Sequence, residues 1–461
     1  MDKKILKFTV LALTLTGLCG CSDAFFEQYP ANNVTKGNFY QTDDDFNQGI
    51  YACYQKLKTQ MGFFINELAY RSDECVLESM AVSTQDRYDL DHFQEKANNG
   101  ILSDVWDAWY NGIYRCNDVL GNLEGKDVKN AGQYRGEALF LRSWWYFNLY
   151  NTFGGVPLAT TVVSPADAKT VKRCTDEEMY LRLTADLAEA ATLLPAKRSA
   201  EKARVTRIAA QALLGKVYLT FGKYPEAQAV LKEALSDSNF GLMGTTAEVF
   251  DVANKMNREI IFALYYNKTD DNGHGYWYST STGVLADITN PTPEFKALYG
   301  AADNRLPLVN TYTKISSSLY VLNKWYDTYD TVYTTQVGND FPVLRFADVV
   351  LMYAEALGMQ GDIAGALEYL NKTRTRAGLP SLTETDVPEG TAFVQALADE
   401  RGREFALEGH RWFDLKRLGL AVEFFKGMGY SVDSHELIFP IPQDQIEIVN
   451  NSDILWQNPG Y

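Results

Sequence analysis

The chain lacks clustered Lys or Arg, and its 43 basic residues are outnumbered by 59 acidic ones, giving a formal charge of −16 at pH 7. Phosphate backbones are bound through a basic face, so nucleic acid is excluded as a partner. Histidine is scarce: the four, at 92, 274, 410 and 435, stand apart, none with a His or Cys at ligand spacing, which leaves no zinc site. Cys53, Cys75, Cys116 and Cys174 form no C-x-x-C pair. There is no glycine-rich phosphate loop and no Gly-x-Ser-x-Gly elbow. The run Asp43-Asp44-Asp45 lacks the alternating ligands and the Gly of a calcium-binding helix–loop–helix, and Thr42 before it suits a helix cap. No cofactor, metal or catalytic residue is expected from these absences.

What is present is a large folded body: 461 residues, 46% hydrophobic and 22% charged, far from the composition of a disordered chain. The 28 Tyr, 24 Phe and 8 Trp exceed what a core needs, and Tyr tolerates an interface with water, so a binding surface is expected. At the start, Lys3, Lys4 and Lys7 accompany an apolar stretch from Ile5 to Leu18, too short for a good membrane span, which reads as an export leader over residues 1–20. Leu18-Cys19-Gly20-Cys21 then resembles a bacterial lipobox, making Cys21 the expected lipidation site and first mature residue. Ser22-Asp23 resembles the acidic surface-export tag of Bacteroidetes lipoproteins. The other four cysteines read as buried thiols, with two disulfides as the alternative.

Most of the chain carries a 3.6-residue hydrophobic period. Val205, Ile208, Ala209, Ala212, Leu213 and Val217 share one helix face, Phe221-Gly222-Lys223-Tyr224 turns the chain, and Ala227, Val230, Leu231 and Ala234 line the next helix. Leu214-Gly215, Tyr218, Ala227, Leu231 and Ala234 fall at the offsets of a tetratricopeptide repeat, where small residues let paired helices approach closely. Tyr353-Ala354, Leu357, Ala366 and Leu370 repeat the spacing across Gly358 to Asp362. A further helix, Thr175 to Leu194, opens on the capping box Thr175-x-x-Glu178, stops at Pro195, and is expected to pair with Tyr134 to Tyr150. The fold class is therefore mainly α, a stack of helical hairpins.

From about residue 240 to 341 the composition turns to Gly, Asn, Asp, Thr, Ser and Tyr, with strand-like runs at Glu259 to Tyr266 and Ile315 to Tyr333, and Lys324-Trp325-Tyr326 is assigned to a strand. A rigid scaffold carrying such an irregular insert is the arrangement of a binding protein. The leading ligand-binding candidates are His274, Tyr276, Trp277 and Tyr278, within Asp270 to Thr280. Aromatic rings stack on the apolar face of a sugar while amides, carboxylates and imidazole bond its hydroxyls; pinning of the loop by Trp277 is the alternative.

Several stretches are similar to the hallmarks of the SusD/RagB family. They are Tyr134-Arg-Gly-Glu-Ala-Leu-Phe-Leu-Arg-Ser-Trp-Trp-Tyr-Phe147 with Gly155-Val-Pro157-Leu158, then Pro342 to Ala356, then Glu400-Arg-Gly-Arg-Glu-Phe-Ala-Leu-Glu-Gly-His-Arg-Trp-Phe-Asp-Leu-Lys-Arg417, and the closing Phe439-Pro-Ile-Pro442 and Gln457-Asn-Pro-Gly-Tyr461. The resemblance implies a tetratricopeptide-like superhelix facing a loop-rich surface that holds an oligosaccharide. It also implies a lipid anchor in the outer membrane and a SusC-like TonB-dependent transporter as partner. Arg71, Asp73 and Tyr88 become candidates because the corresponding stretch of relatives lies near ligand; mutual pairing of Arg71 with Asp73 is the alternative. The expected divisions are 1–20 leader, 21–239 N-terminal region, 240–341 ligand-facing insert and 342–461 C-terminal region.

Glu400, Arg403, Glu404, Glu408, His410, Arg411 and Asp414 are dense enough in carboxylates to raise a lipid-anchored glycoside hydrolase as a rival. They read instead as one ion-paired helix, since Arg partners hold both acids ionised and a catalytic pair comes from separate elements. A peptide-capturing importer partner is the third possibility.

Overall fold

A computed structural model describes residues 39–77, 85–199, 203–268, 279–280, 291–314, 320–327, 338–388 and 390–461. Cys21 and the segment of His274, Tyr276, Trp277 and Tyr278 lie outside the described residues.

The longer helices run α1 Asp43–Tyr70, α2 Gly100–Leu123, α3 Ala131–Phe153, α4 Asp176–Leu193, α5 Arg207–Thr220, α6 Tyr224–Leu235, α7 Phe346–Gly358, α8 Ile363–Arg376, α9 Thr391–Glu404 and α10 Arg411–Arg417. From α2 to α8 each packs on its neighbour in chain order, so the hairpins α3/α4, α5/α6 and α7/α8 stand side by side. The array buries one continuous apolar core, because each hairpin leaves a face that only the next can cover.

Local chemistry sets the ends. Thr42 and Asp45 cap α1 reciprocally, Asp45 N–H donating to Thr42 Oγ1 (3.2 Å) and Thr42 N–H to Asp45 Oδ2 (2.7 Å). Thr175 and Glu178 do the same for α4. In α5/α6 the turn uses Gly222 at φ +67°, and Gly215 admits Leu231: a Cβ there would lie 2.5 Å from Leu231 Cδ2. The four described cysteines are all buried and free, as the thiol reading expected.

Among the described residues the strands are few. β1 Ile260–Leu264 pairs antiparallel with β5 Phe341–Arg345, while β2 Ser279–Thr280, β3 Tyr312–Lys314 and β4 Tyr320–Leu322 form a second sheet in the order β2-β4-β3. Two expectations need correction. Asn323–Trp325 is a 3₁₀ turn, not strand, because the Trp325 ring and the Lys324 ammonium both turn inward, Lys324 Nζ donating to Glu408 at 2.7 Å. The stretch from Glu400 to Arg417 is two helices, broken where Leu407 (φ +60°) and Gly409 (φ +76°) turn left-handed. No described helix is long and apolar enough to cross a membrane.

Candidate functional site

α1 divides its faces by helical spacing. Phe46, Ile50, Cys53 and Leu57 are buried, while Gln48, Tyr51, Gln55 and Lys58 line the opposite side. Against that side lies β1 and the residue after it, Tyr265. Together they wall a groove of about 720 Å³. Tyr51 is 38% exposed and Tyr265 is 48% exposed, the latter the most exposed described aromatic ring of the groove. Each ring carries a cation over one face: Arg204 sits 5.5 Å from the Tyr51 centroid, and Lys255 4.5 Å from that of Tyr265. Those cations are themselves fixed, Arg204 on Glu137 (2.9 Å) and Lys255 on Asp340 (2.9 Å).

The groove thus offers two stiff rings flanked by the exposed amides of Gln48 and Gln55, the pairing of apolar faces and hydrogen-bonding groups that a sugar ring requires. Tyr54, half-buried between them, accepts from Val205 N–H (3.0 Å), and burial pushes its hydroxyl well above the ordinary range, so it stays protonated. From Tyr265, just past β1, the sequence continues to residues 269–278, where the Tyr276-Trp277-Tyr278 candidates lie.

Arg71 and Asp73 are placed differently from expectation. Arg71 is buried, donating to Leu90 O (3.0 Å), Glu95 (2.6 Å) and Glu436 O (2.8 Å) beneath Phe93, Trp412 and Phe439. Asp73 is buried too, gripped by Arg411 at 2.7 and 2.9 Å. Neither pairs with the other, and burial leaves neither a face for a ligand. Tyr88 is half-buried, stacked on His92 with ring centroids 3.8 Å apart.

The carboxylates that raised a hydrolase are ion-paired, as read, though several of their partners come from distant elements. Arg345 spans Glu259 (2.7 Å), Glu404 (3.0 Å) and Glu408 (2.8 Å); Arg305 bonds Glu400 (2.8 Å) and Asp303; Arg401 joins Asp348 (2.8 Å) to Asp414 (2.7 Å). Despite burial, these guanidiniums hold the Glu404 and Glu408 carboxyls below the usual range, and hold Asp414 down to about 2. Half-buried His410 is pushed down to about 3 by desolvation and by Lys216, and is neutral. His435 is not isolated: Asp433 and Glu436 lie at 2.5 and 3.7 Å, though both carboxylates also bond backbone N–H groups of their own turn.

Two family profiles match this chain, one described as "SusD family" over residues 299–461 and one as "Starch-binding associating with outer membrane" over residues 26–219. The chain belongs to the SusD family. It is 28% identical to SusD-like protein P2 of Formosa agariphila, with 100% of each chain covered. Over 28% of its length it is 36% identical to the starch-binding protein SusD of Bacteroides thetaiotaomicron, covering 23% of that protein. The structure resembles that of a laminarin-binding SusD-like protein with a TM-score of 0.79 and 26% identity, covering 92% of this chain and all of the other. The hairpin array is the family's helical architecture.

The groove tyrosines were not among the residues singled out from the sequence. A signal existed: Tyr51 interrupts the polar face formed by Gln48, Gln55 and Lys58. Tyr265 carried none, because only the packing of β1 against α1 decides on which side it emerges.

Proposed function

We propose that this SusD-family chain is a non-catalytic glycan-binding lipoprotein at the bacterial surface, anchored through Cys21 in the outer membrane, that captures oligosaccharides and delivers them to a SusC-like TonB-dependent transporter. The observation that carries the reading is the groove in which Tyr51 and Tyr265 stand exposed, each backed by a fixed cation, beside Gln48 and Gln55. Laminarin binding by a structural relative and starch binding by a sequence relative support glucans as the first ligands to try. His274, Tyr276, Trp277 and Tyr278, downstream of Tyr265, extend the proposed site, with 240–341 as the ligand-facing insert. Tethering holds binder and transporter at high effective concentration, so modest affinity suffices for transfer.

Retardation of the purified protein in gels containing laminarin or starch tests this. Binding is expected to weaken about tenfold in Tyr265→Ala and again in Trp277→Ala, the loss of one stacking ring each. Unchanged retardation in both variants, or release of shorter sugars from the polysaccharide, overturns the proposal.

A further inference from the structure

On the far side of α3 from its buried core contacts with α2, a cavity of about 550 Å³ opens between α3, α5, α10 and the Gly154-Gly155 turn. Its volume is that of a small-molecule site, about 300–1,000 Å³. Its charges do not balance. Of the four cations in its wall, Lys216 is paired with Asp348 (2.6 Å) and Arg417 with Glu355 (2.7 Å) and Asp414 (2.9 Å). Arg173 and Lys416 have no carboxylate partner among the described residues. Arg173 is held by neutral oxygens alone among the described residues, those of Gly155 (2.7 Å), Trp456 (2.5 Å), Asn458 (2.8 Å) and Phe153 (3.5 Å). Among the described residues Lys416 donates only to Asn151 O (2.5 Å), leaving two of its three N–H bonds open there.

The acids of the wall do not compensate. Glu408 is occupied by Arg345 and Lys324, Asp414 by Arg401 and Arg417, and Asp176 lies at the exposed rim. His410 contributes no charge. Two basic side chains with no carboxylate partner among the described residues are unusual in a concave wall of a chain of charge −16. Acceptors are also unused. Asn148 and Asn151 each donate back along their helix, to Trp144 O (2.7 Å) and Phe147 O (2.9 Å), and their side-chain oxygens accept nothing from the described residues. Phe147 and Phe413 supply apolar wall.

We propose that this cavity is a second ligand site, separate from the tyrosine groove, that takes a monosaccharide-sized anion carrying a carboxylate and hydroxyls, of the hexuronate class. The carboxylate meets the open donors of Lys416 with Arg173 behind it, the hydroxyls donate to Asn148 and Asn151, and the C–H face lies on the phenyl rings. Burial, and then the charge of nearby Arg71, pushes the Lys416 amine down to about 7. A bound carboxylate favours the ammonium, so binding draws a proton from solution.

Calorimetric titration of the purified protein with glucuronate, run in two buffers of different ionisation enthalpy, reads both effects. Saturable binding is expected with uptake of roughly half a proton per anion at pH 7 and more at pH 8. Glucose is expected to give no heat and inorganic phosphate to compete only weakly. Lys416→Met should weaken glucuronate at least about tenfold without lowering the urea midpoint, while Tyr265→Ala leaves it unchanged. Absence of glucuronate binding at about 10 mM, equal binding of glucose, preference for phosphate, or binding without proton uptake overturns the proposal. The proton measurement is made on the unaltered protein, so it decides the matter even where a variant fails to fold.

Discussion

Glu74 is a carboxyl buried inside the molecule, accepting Leu407 N–H at 2.7 Å, and it has Asp73 as its chain neighbour. Burial, reinforced by the Asp73 charge, pushes it up to about 8. The unfolded chain releases this proton near pH 4.5, whereas the folded chain keeps it until about pH 8, so the folded state binds more protons between those values. Its contribution therefore favours folding at low pH and fades as pH rises through that window. Glu74→Gln keeps the acceptor and removes the charge. The variant is expected to match the parent near pH 5 and to exceed it in urea midpoint at pH 8 by a few kcal/mol in stability. Parallel curves for the two proteins would show that Glu74 is not held protonated. The carboxylates of Glu400 to Asp414 were legible as structural from the Arg residues interleaved with them. Their partners Arg305, Arg345 and Lys324 were not, because those come from chain positions that only the fold brings near.

The hairpin α5/α6 shows how much of an element its local spacing decides. Gly215, Ala227, Leu231 and Ala234 declared the pairing, and the structure gives the reason: a side chain at 215 would occupy the space of the fully buried Leu231. Glycine in a helix interior ordinarily costs about 1 kcal/mol relative to Ala, so it persists where approach requires it. Gly215→Leu is expected to lower stability by about 1–3 kcal/mol, read as a fall in thermal midpoint, and Leu231→Ala in the same chain should recover part of it. Additive losses from the two changes would mean that they do not share that space. The break between α9 and α10 was less legible. Gly409 hinted at it, but Leu407 in a left-handed conformation is held by the contacts around it, including Glu74 through its N–H.

At the scale of the whole molecule, the proposal places a stiff helical body outside the cell on a lipid tether. In that proposal a diacylated Cys21 anchors it durably, since burial gains about 0.8 kcal/mol per methylene. Labelled palmitate is expected to enter the parent protein and not Cys21→Ala, and protease added to intact cells should digest the parent while the variant leaves the membrane fraction. Membrane retention of Cys21→Ala would remove the anchor from the proposal. The same body separates the two proposed sites: a groove with tyrosines beside fixed cations, and a cavity whose basic side chains lack carboxylate partners among the described residues.

The amino-acid order alone settled the repeat of helical hairpins and the caps of α1 and α4, because periodicity, capping and small-residue offsets act over a few neighbouring positions. Tertiary structure decided which polar groups were available. Arg71 and Asp73, ligand candidates or a mutual pair on the sequence reading, are held instead by Glu436 O and Arg411, more than three hundred residues away, while Tyr265 and Lys416 face open space because the elements opposite them leave room. Exposure and charge balance are properties of neighbours in space, and these neighbours are distant in the chain.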